Sequence, residues 1–296
     1  MTNSEHLPLR GRTALVTGVS RRRGIGYAIA VRLAELGADL FIHHHRAHDT
    51  GQPWSADDLE GVREGVRAAL RPGAAFGDLG LDLADPKAPE RLVAAARELT
   101  GSLHVLVCNH ARSGGDGSLL DMTAEKLDGH WSVNTRSTLL LTSHFARAFA
   151  GTEEAPAARP GDRRGFSGPL DEHATGRVFW TTSGQIHGPM PGEVAYAASK
   201  AALAGLTATA AAELLPLGVV LNTVDPGPVN TGYLDPESTD RDPGIIERVL
   251  AATPFGRLGH PTDPARLVGW LASDGGRWVV GQIITTDGGF SLGTDR

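Results

Sequence analysis

The sequence has little of several features that mark special classes of protein. Cys108 is the only cysteine among 296 residues, so no intrachain disulfide can form and a reducing cytoplasm is the expected location. No apolar run approaches the roughly 20 residues of a membrane span, and the opening MTNSEHLPLRGR lacks the apolar core of a signal peptide. The formal net charge of −6 argues against a nucleic-acid binder, which needs a clustered basic surface. We therefore expect a small-molecule ligand and neither nucleic acid nor a membrane as partner.

Histidine is plentiful, with 12 residues, and the run His43–His45 with His48 raises the question of a metal site. Adjacent residues on a strand point to alternate faces, and no cysteine or carboxylate follows at a ligand spacing. We expect no metal.

Short apolar runs alternate along the chain with segments of helical period, which predicts a doubly wound parallel sheet. We predict a single α/β domain over residues 1–296, Rossmann-like, with a core at about 11–290, about seven strands and helices on both faces. The predicted strands are Thr13–Thr17, Asp39–Ile42, Ala74–Leu81, Leu103–Cys108, Val178–Thr182, Gly218–Val224 and Gln282–Thr285. The predicted helices are Tyr27–Leu36, Ala56–Leu70 capped by Ser55, one from Asp85-Pro86 to Gly101, Thr123–Ala150, Ala195–Leu217, and one from Asp263-Pro264 to Ser273.

Two segments break this rhythm. Residues 151–176 are rich in Pro, Gly and charge, which predicts a surface insertion before the fifth strand. Residues 232–253 are polar and interrupted by Pro. Because loops at the carboxyl ends of parallel strands form the ligand crevice, this second segment is a candidate substrate lid.

Tyr196 and Lys200 open the alanine-rich helix and are four residues apart, so they lie on one helix face. A nearby ammonium favours the phenolate and is expected to lower the pKa of Tyr196 from about 10. A tyrosine tuned in this way can exchange a proton with a substrate oxygen. Taken alone, the pair is more often an interfacial tyrosine with a solvated lysine, so the rest of the chain decides.

Several motifs occur in a characteristic order. They are Thr17-Gly18 with Gly24-Ile25-Gly26 after the first strand, Asp82-Leu83 after the third, Asn109 after the fourth, Asn134 on the long helix, Ser183 thirteen positions before Tyr196, the turn from Pro226 to Thr231, and Asp287-Gly288-Gly289. Together these motifs resemble those of the short-chain dehydrogenase/reductase superfamily over nearly the whole chain. The resemblance implies reversible carbonyl reduction or alcohol oxidation with NAD(P), the nicotinamide supplying the hydride chemistry.

The resemblance also implies site residues. The catalytic residues would be Ser183, which holds the substrate oxygen, Tyr196, which transfers the proton, Lys200, which tunes Tyr196 and binds the ribose, and Asn134, which holds a relay water. The cofactor-binding residues would be Gly18, Ser20, Arg21, Arg22, Arg23, Gly24, Ile25, Gly26, His44, Arg46, Asp82, Leu83, Asn109, Tyr196, Lys200, Pro226, Gly227, Val229 and Thr231. The substrate pocket would draw on His110, Gln185, His187 and Met190.

Three departures from the family pattern carry information. Five residues instead of three separate Gly18 from Gly24, and they include Arg21–Arg23, which either are solvated or clamp a phosphate. The position after the second strand, about His44, has no acid that would bind a 2′-hydroxyl. We therefore predict NADP(H) as the preferred cofactor, with NAD(H) as the alternative. His110 and Ser137 replace small residues of the family, and His110 either contacts substrate or packs.

The overall pattern looks most like the 3-oxoacyl-carrier-protein reductase-like branch, whose members also reduce other ketones. A specialised ketone or secondary alcohol and a true acyl-carrier-protein substrate both stay open. The rivals are a catalytically silent NADP-sensing or scaffold protein and a sugar-nucleotide epimerase, which usually carries a larger C-terminal domain. The many alanines of the Tyr196 helix permit close helix packing, and the resemblance implies a homotetramer, or a homodimer.

Overall fold

The computed structural model of the protein describes residues 7–152, 170–171, 175–235, 237–239 and 243–293. Its centre is one seven-stranded sheet in the order β3-β2-β1-β4-β5-β6-β7, with every neighbouring pair parallel. The strands are β1 (Thr13–Val16), β2 (Asp39–His44), β3 (Phe76–Gly80), β4 (Val105–Cys108), β5 (Gly176–Thr181), β6 (Val219–Asp225) and β7 (Ile283–Thr285). The predicted doubly wound sheet is confirmed.

The α-helices lie on both faces of this sheet. They are α1 (Ile25–Glu35), α2 (Arg46–Thr50), α3 (Leu59–Ala69), α4 (Ala88–Glu98), α5 (Ala124–His130), α6 (Ser137–Ala150), α7 (Val194–Leu214), α8 (Pro243–Ala252) and α9 (Thr262–Ala272). Residues of α1, α3 and α9 form one buried cluster, and residues of α4, α6 and α7 form another. On β1, Ala14 and Val16 belong to the first cluster and Leu15 to the second, because successive strand residues point to opposite faces.

Some helix boundaries differ from the predictions. Asp58, not Ser55, caps α3, because its carboxylate accepts from the backbone N–H groups of Glu60 and Gly61. The helix predicted from Asp85 begins only at Ala88, since the Asp85 side chain accepts from the Lys87 N–H in a turn. The long helix predicted from Thr123 is three segments, with a π-helical stretch over Trp131–Arg136 between α5 and α6.

The two irregular segments have different outcomes. Most of the predicted insertion at 151–176 falls on 153–169 and 172–174, which lie outside the described residues. Its predicted end is wrong, because Gly176 already pairs with Val219 as the first residue of β5. The candidate lid contains α8, which the sequence analysis missed, as it missed α2. Within the described ranges, no helix is both long and apolar enough to cross a membrane.

Candidate active site

A crevice of about 1090 Å³ lies at the carboxyl edge of the sheet. The strand order reverses at β1, because β2 lies on one side of β1 and β4 on the other. Ligands bind at such a reversal of strand order in open α/β sheets. The walls come from the turns after β1, β2, β3, β4, β5 and β6, together with the first turn of α7 and one residue of α8. Many, but not all, of the predicted site residues therefore lie at the crevice.

The glycine turn after β1 is packed tightly against the loop after β4. A Cβ on Gly26 would lie 2.4 Å from the Gly18 carbonyl oxygen, and one on Gly18 would lie 2.8 Å from the Cα of His110. Gly18 also has a φ of +73°, which side chains rarely adopt. The Asn109 amide donates to the carbonyl oxygens of Thr17 and Gly18, at 3.2 and 3.4 Å. Asn109 thus holds the turn from the side.

The first turn of α1 fits a diphosphate. Its N-cap is Gly24, no side chain caps it, and both Gly24 and Ile25 line the crevice. The first N–H groups of a helix have no partner within the helix, and the helix dipole favours an anion there. The residues present therefore fit the diphosphate of a dinucleotide.

The side chains of the three arginines in the enlarged turn do not lie together. Arg21 lines the crevice, where its Nε lies 3.0 Å from the Asp49 carboxylate and its Nη1 donates to the Thr231 carbonyl at 2.8 Å. Arg22 pairs with Asp57 and Arg23 with Asp235. The side chains of Arg22 and Arg23 are 52% and 61% exposed and neither residue is part of the crevice wall. The structure does not bring them to the site with Arg21.

The side chains after β2 also differ from the prediction. His44 turns away from the crevice and bonds the Asp78 carboxylate at 2.9 Å, and Arg46 does not line the crevice either. His45 and His48 occupy the wall instead. Alternation along the strand explains the difference, since His44 points to the face opposite that of its neighbours.

An acid does lie near this corner of the crevice, brought there by α2. Asp49 is buried, accepts from the Ser20 hydroxyl at 2.5 Å and pairs with Arg21. Its charge is therefore compensated inside the protein. The sequence pattern predicted no acid here, because the position at the end of the second strand is His44.

The remaining cofactor predictions mostly meet at the crevice. Its wall includes Gly18, Ser20, Asp82, Leu83, Asn109, Tyr196, Lys200, Pro226, Gly227 and Thr231. Val229 is buried and lies outside the wall, and its backbone pairs instead with Gly259.

Ser183, Tyr196 and Lys200 converge at the centre of the crevice. The Ser183 hydroxyl hydrogen-bonds the Tyr196 phenol, and the Lys200 Nζ lies 5.8 Å from the centre of the Tyr196 ring. Lys200 is almost fully buried, and its ammonium donates to the Thr181 carbonyl at 2.8 Å. These three groups are placed so that a carbonyl oxygen beside Ser183 and Tyr196 would meet two hydroxyl groups.

Burial dominates the proton affinities at this centre. It raises the pKa of Tyr196 to about 12, an effect that the Ser183 hydrogen bond opposes. Burial also lowers the pKa of Lys200 to about 8. The expectation that Lys200 lowers the pKa of Tyr196 is therefore wrong for the protein alone. Desolvation penalises both charged forms, and the lysine proton is directed to a backbone carbonyl rather than to the phenol.

Asn134 is completely buried within the π-helical stretch and is not part of the crevice wall. Its Oδ1 accepts from the Arg112 N–H at 2.6 Å, and its Nδ2 donates to the Arg112 carbonyl at 3.1 Å and to the Ser199 hydroxyl at 2.9 Å. The side chain is thus occupied by protein groups. A relay water held by Asn134 stays a prediction.

Two of the four predicted substrate residues lie at the crevice and two do not. Met190 and His110 line the crevice, but Gln185 and His187 do not. Gln185 contacts the Thr182 hydroxyl at 2.9 Å, and the His187 Nε2 lies 2.9 Å from the buried Asp225 carboxylate.

The His110 ring is engaged on both sides, with Nδ1 2.7 Å from the Thr17 hydroxyl and Nε2 2.7 Å from the Ser137 hydroxyl. Of the two roles left open for His110, the hydrogen bonds favour packing.

Several crevice residues carried no motif signal. Trp54 lies under the Arg21 guanidinium, with its ring centre 5.4 Å away, and meets Tyr233 edge-on. Arg112 and Asp116 come from the loop after β4. The one usable signal was position, because polar residues that follow a parallel strand lie at the ligand edge.

Comparison with known proteins now bears on this geometry. The family model described as enoyl-(acyl carrier protein) reductase matches residues 18–155 and 168–291. The uncharacterized oxidoreductase YjdA of Bacillus subtilis is 34% identical, with 95% of this chain and 97% of that protein covered. The chain belongs to the short-chain dehydrogenase/reductase superfamily.

Other relatives agree. An NADPH-dependent aldehyde reductase-like chloroplast protein of Arabidopsis thaliana is 35% identical over 96% of both chains. The crystal structure of a short-chain dehydrogenase from Burkholderia cenocepacia in complex with NADP has a TM-score of 0.74 and 31% identity, covering 96% of this chain and 99% of that one. This member of the superfamily is accordingly an oxidoreductase that interconverts CH–OH and C=O groups with a nicotinamide cofactor.

The glycine packing predicts that Gly26→Ala weakens cofactor binding. The added Cβ would collide with the Gly18 carbonyl and with the Asn109 amide 2.6 Å away, so the turn must move by more than the diphosphate contacts tolerate. Titration of nicotinamide fluorescence should show at least a tenfold loss of affinity, roughly 1.4 kcal/mol or more. Gly188→Ala is the control, because a Cβ there meets nothing within 4 Å. Unchanged binding by a folded Gly26→Ala protein would contradict this account of the turn.

Proposed function

We propose that the protein catalyses the reversible, NADPH-dependent reduction of a ketone to a secondary alcohol, with Tyr196 as proton donor. The observation that carries the proposal is that Ser183, Tyr196 and Lys200 line one crevice, whose lining also includes the open N-terminus of α1. The bound nicotinamide would supply the hydride. Asp82, Asn109 and the turn from Pro226 to Thr231 are the further residues proposed to hold the cofactor.

The protein's own groups would manage the proton. Ser183 and Tyr196 would donate hydrogen bonds to the substrate oxygen, and Tyr196 would give up its proton as negative charge develops there. The high pKa of the phenol, about 12, keeps Tyr196 protonated until that moment. Lys200, whose pKa is lowered to about 8 by burial, would exchange protons readily near neutral pH, although its ammonium is directed to the Thr181 carbonyl rather than to the phenol. Asn134 would act on this centre through the loop that it anchors.

The substrate end of the crevice is mixed in character. Met190, Pro191, Tyr233 and Ile245 offer apolar surface, and Arg112, Asp116 and Glu193 are charged residues of the same lining. We propose a specialised ketone as substrate and keep 3-oxoacyl-carrier-protein reduction as the alternative. The name of the aldehyde reductase-like relative favours carbonyl chemistry. A catalytically silent NADP-sensing protein is the non-enzymatic alternative.

A carbonyl panel with NADPH tests the proposal. It should contain an acetoacetyl thioester, simple ketones, quinones and cyclic ketones, with oxidation of NADPH followed at 340 nm. We expect turnover with at least one member, and Tyr196→Phe should lower kcat by about 10²–10⁴-fold, as loss of a general acid does. Tyr27→Phe is the matched control, since Tyr27 packs against the first cluster away from the crevice. Equal turnover by Tyr196→Phe would exclude it as proton donor, and no turnover with NADPH binding intact would favour the silent alternative.

NADP(H) is the proposed cofactor, with NAD(H) as the alternative. Arg21 is the residue through which the enlarged turn reaches the crevice, and the similar Burkholderia cenocepacia dehydrogenase was solved with NADP. Asp49 is compatible with a 2′-phosphate only while Arg21 compensates its charge. We therefore expect Arg21 to decide the preference.

Arg21→Gln should raise the KM for NADPH roughly tenfold and leave the KM for NADH within about twofold. The substitution removes a cation and exposes Asp49 to the phosphate, which together are worth about 1.4 kcal/mol or more. Arg22→Gln is the matched control, because Arg22 points outward to Asp57. Initial rates at saturating carbonyl with each cofactor give both KM values. A wild-type preference for NADH, or equal effects of the two substitutions, would refute this assignment.

We propose that this single-domain chain forms a homotetramer, or a homodimer, through α7. Small residues make an exposed stripe on that helix, at Ala198, Ala201, Gly205, Ala208 and Ala212. Such a stripe permits close helix–helix approach. A cytoplasmic location is proposed from the single cysteine, Cys108, which is buried and free.

Light scattering coupled to size exclusion at micromolar concentration should give a mass of two or four 31.1 kDa chains. Ala201→Arg should reduce the mass to that of one chain, since the long charged side chain prevents close approach. Ala150, at the exposed end of α6, provides the control substitution Ala150→Arg. A monomeric wild-type protein would contradict the proposal.

A further inference from the structure

The helix that carries Tyr196 begins without a cap of its own. Its N-cap residue is Glu193, whose side chain makes no capping hydrogen bond, and Tyr196 lies in the first turn. The N–H groups of a first helical turn have no partner within the helix and need an acceptor from elsewhere when they are shielded from water. The position of the catalytic phenol therefore depends on what accepts these hydrogen bonds.

Asp116 supplies the acceptor from the loop that follows β4. Its Oδ2 accepts from the Tyr196 N–H at 2.7 Å, and its Oδ1 accepts from the Ala195 N–H at 3.0 Å and from the Gly117 N–H at 2.8 Å. The contact spans 80 positions of sequence and forms a capping interaction between separate elements. The negative carboxylate also lies at the positive end of the α7 dipole, and this attraction strengthens the hydrogen bonds.

The carbonyl side of Tyr196 is held as well. The Ser199 hydroxyl donates to the Tyr196 carbonyl at 2.7 Å and accepts from the Asn134 amide at 2.9 Å. Asn134 in turn holds both backbone groups of Arg112, which begins the same loop that ends at Asp116. The hydrogen bonds thus close a ring around the backbone of Tyr196, with Asp116 as its charged member.

We propose that Asp116 is a positioning residue that sets the place of the Tyr196 hydroxyl by holding the Tyr196 backbone N–H. Without the carboxylate, the first turn of α7 loses its acceptors and can fray, and the hydroxyl moves relative to Ser183. A displacement of about 1 Å is enough to cost about 10²-fold in rate. The cofactor contacts of α1 and the turn after β6 do not involve Asp116, so cofactor binding should be spared.

Among the described residues, His130 lies next to both Asp116 and Tyr196, and it does not replace the carboxylate. His130 is completely buried, packs edge-on against the Tyr196 ring with centres 6.4 Å apart, and directs its Nδ1 to the Lys126 carbonyl. Its Nε2 is 3.9 Å from the Asp116 Oδ2, which is too far for a hydrogen bond. His130 therefore supports the tyrosine ring by packing, and the backbone of Tyr196 relies on Asp116.

The kinetic test compares Asp116→Ala and Asp116→Asn with the wild-type protein, using the best carbonyl of the panel. We expect kcat to fall about 10²-fold in Asp116→Ala and about tenfold in Asp116→Asn, whose amide keeps one acceptor oxygen. The KM for NADPH should stay within about twofold in both. Asp121→Asn is the matched control, because Asp121 lies in the same connection and bonds the Ser118 hydroxyl on the surface. A kcat within twofold of wild type in Asp116→Ala, or an equal effect of Asp121→Asn, would overturn the proposal.

This kinetic arm rests on the proposed function, so a second arm does without activity. Hydrogen–deuterium exchange resolved at Ala195 and Tyr196 should show faster exchange in both Asp116 variants, with α9 unchanged and Asp121→Asn like wild type. Unchanged protection at Tyr196 would overturn the positioning role even if no carbonyl is reduced. Where Asp116→Ala fails to fold, Asp116→Asn decides both arms, and a uniform loss of protection throughout the chain would show a general structural role instead.

Discussion

The unsatisfied N–H groups of helix first turns govern the carboxyl edge of this sheet. Helices α1 and α7 both begin there without a side-chain cap of their own, and each is completed differently. At α1 the N-cap is Gly24, and the open first turn faces a crevice that suits a diphosphate. At α7 the acceptor is Asp116, which comes from another element and accepts from the backbone N–H of Tyr196. An anion of the ligand would accept the N–H groups of α1, and an anion of the protein accepts those of α7. The spacing of these two helix starts therefore sets the spacing between the cofactor and Tyr196.

A second constraint is the cost of charge in this buried edge. Burial raises the pKa of Tyr196 and lowers that of Lys200, so at neutral pH the phenol stays protonated and the two groups do not form an ion pair. Both pKa shifts favour proton transfer near neutral pH. A protonated phenol is ready to donate, and a lysine whose pKa is about 8 exchanges protons easily near neutrality. The cost of burying charge also explains the pairing of Asp49, whose charge is compensated by Arg21 within the crevice wall.

The fold could be predicted because its signals are local. Buried strands such as β4 read as short apolar runs, and alternation with helices implies the parallel sheet. The order of motifs also located Ser183, Tyr196 and Lys200 correctly in one crevice. What could not be predicted depends on direction and on long-range pairing. His44 ends β2 beside the crevice, but its side chain points away from it to Asp78. Arg22 pairs with the carboxylate of Asp57 at the surface. Asp116 contacts Tyr196, which lies 80 positions away in the sequence. None of these pairings leaves a periodic trace in the sequence.

The two departures after β4 and on the long helix turn out to be one feature. His110 and Ser137, each in place of a small residue of the family, hydrogen-bond each other at 2.7 Å. The His110 Nε2 also lies 3.0 Å from the Val133 carbonyl, which can only accept, so Nε2 carries the proton and Nδ1 accepts from the Thr17 hydroxyl. Burial lowers the pKa of His110 well below its usual value, which keeps this neutral form in place. The ring therefore joins the end of β1 to the π-helical stretch that contains Asn134, and a substitution that enlarges one partner requires a change in the other.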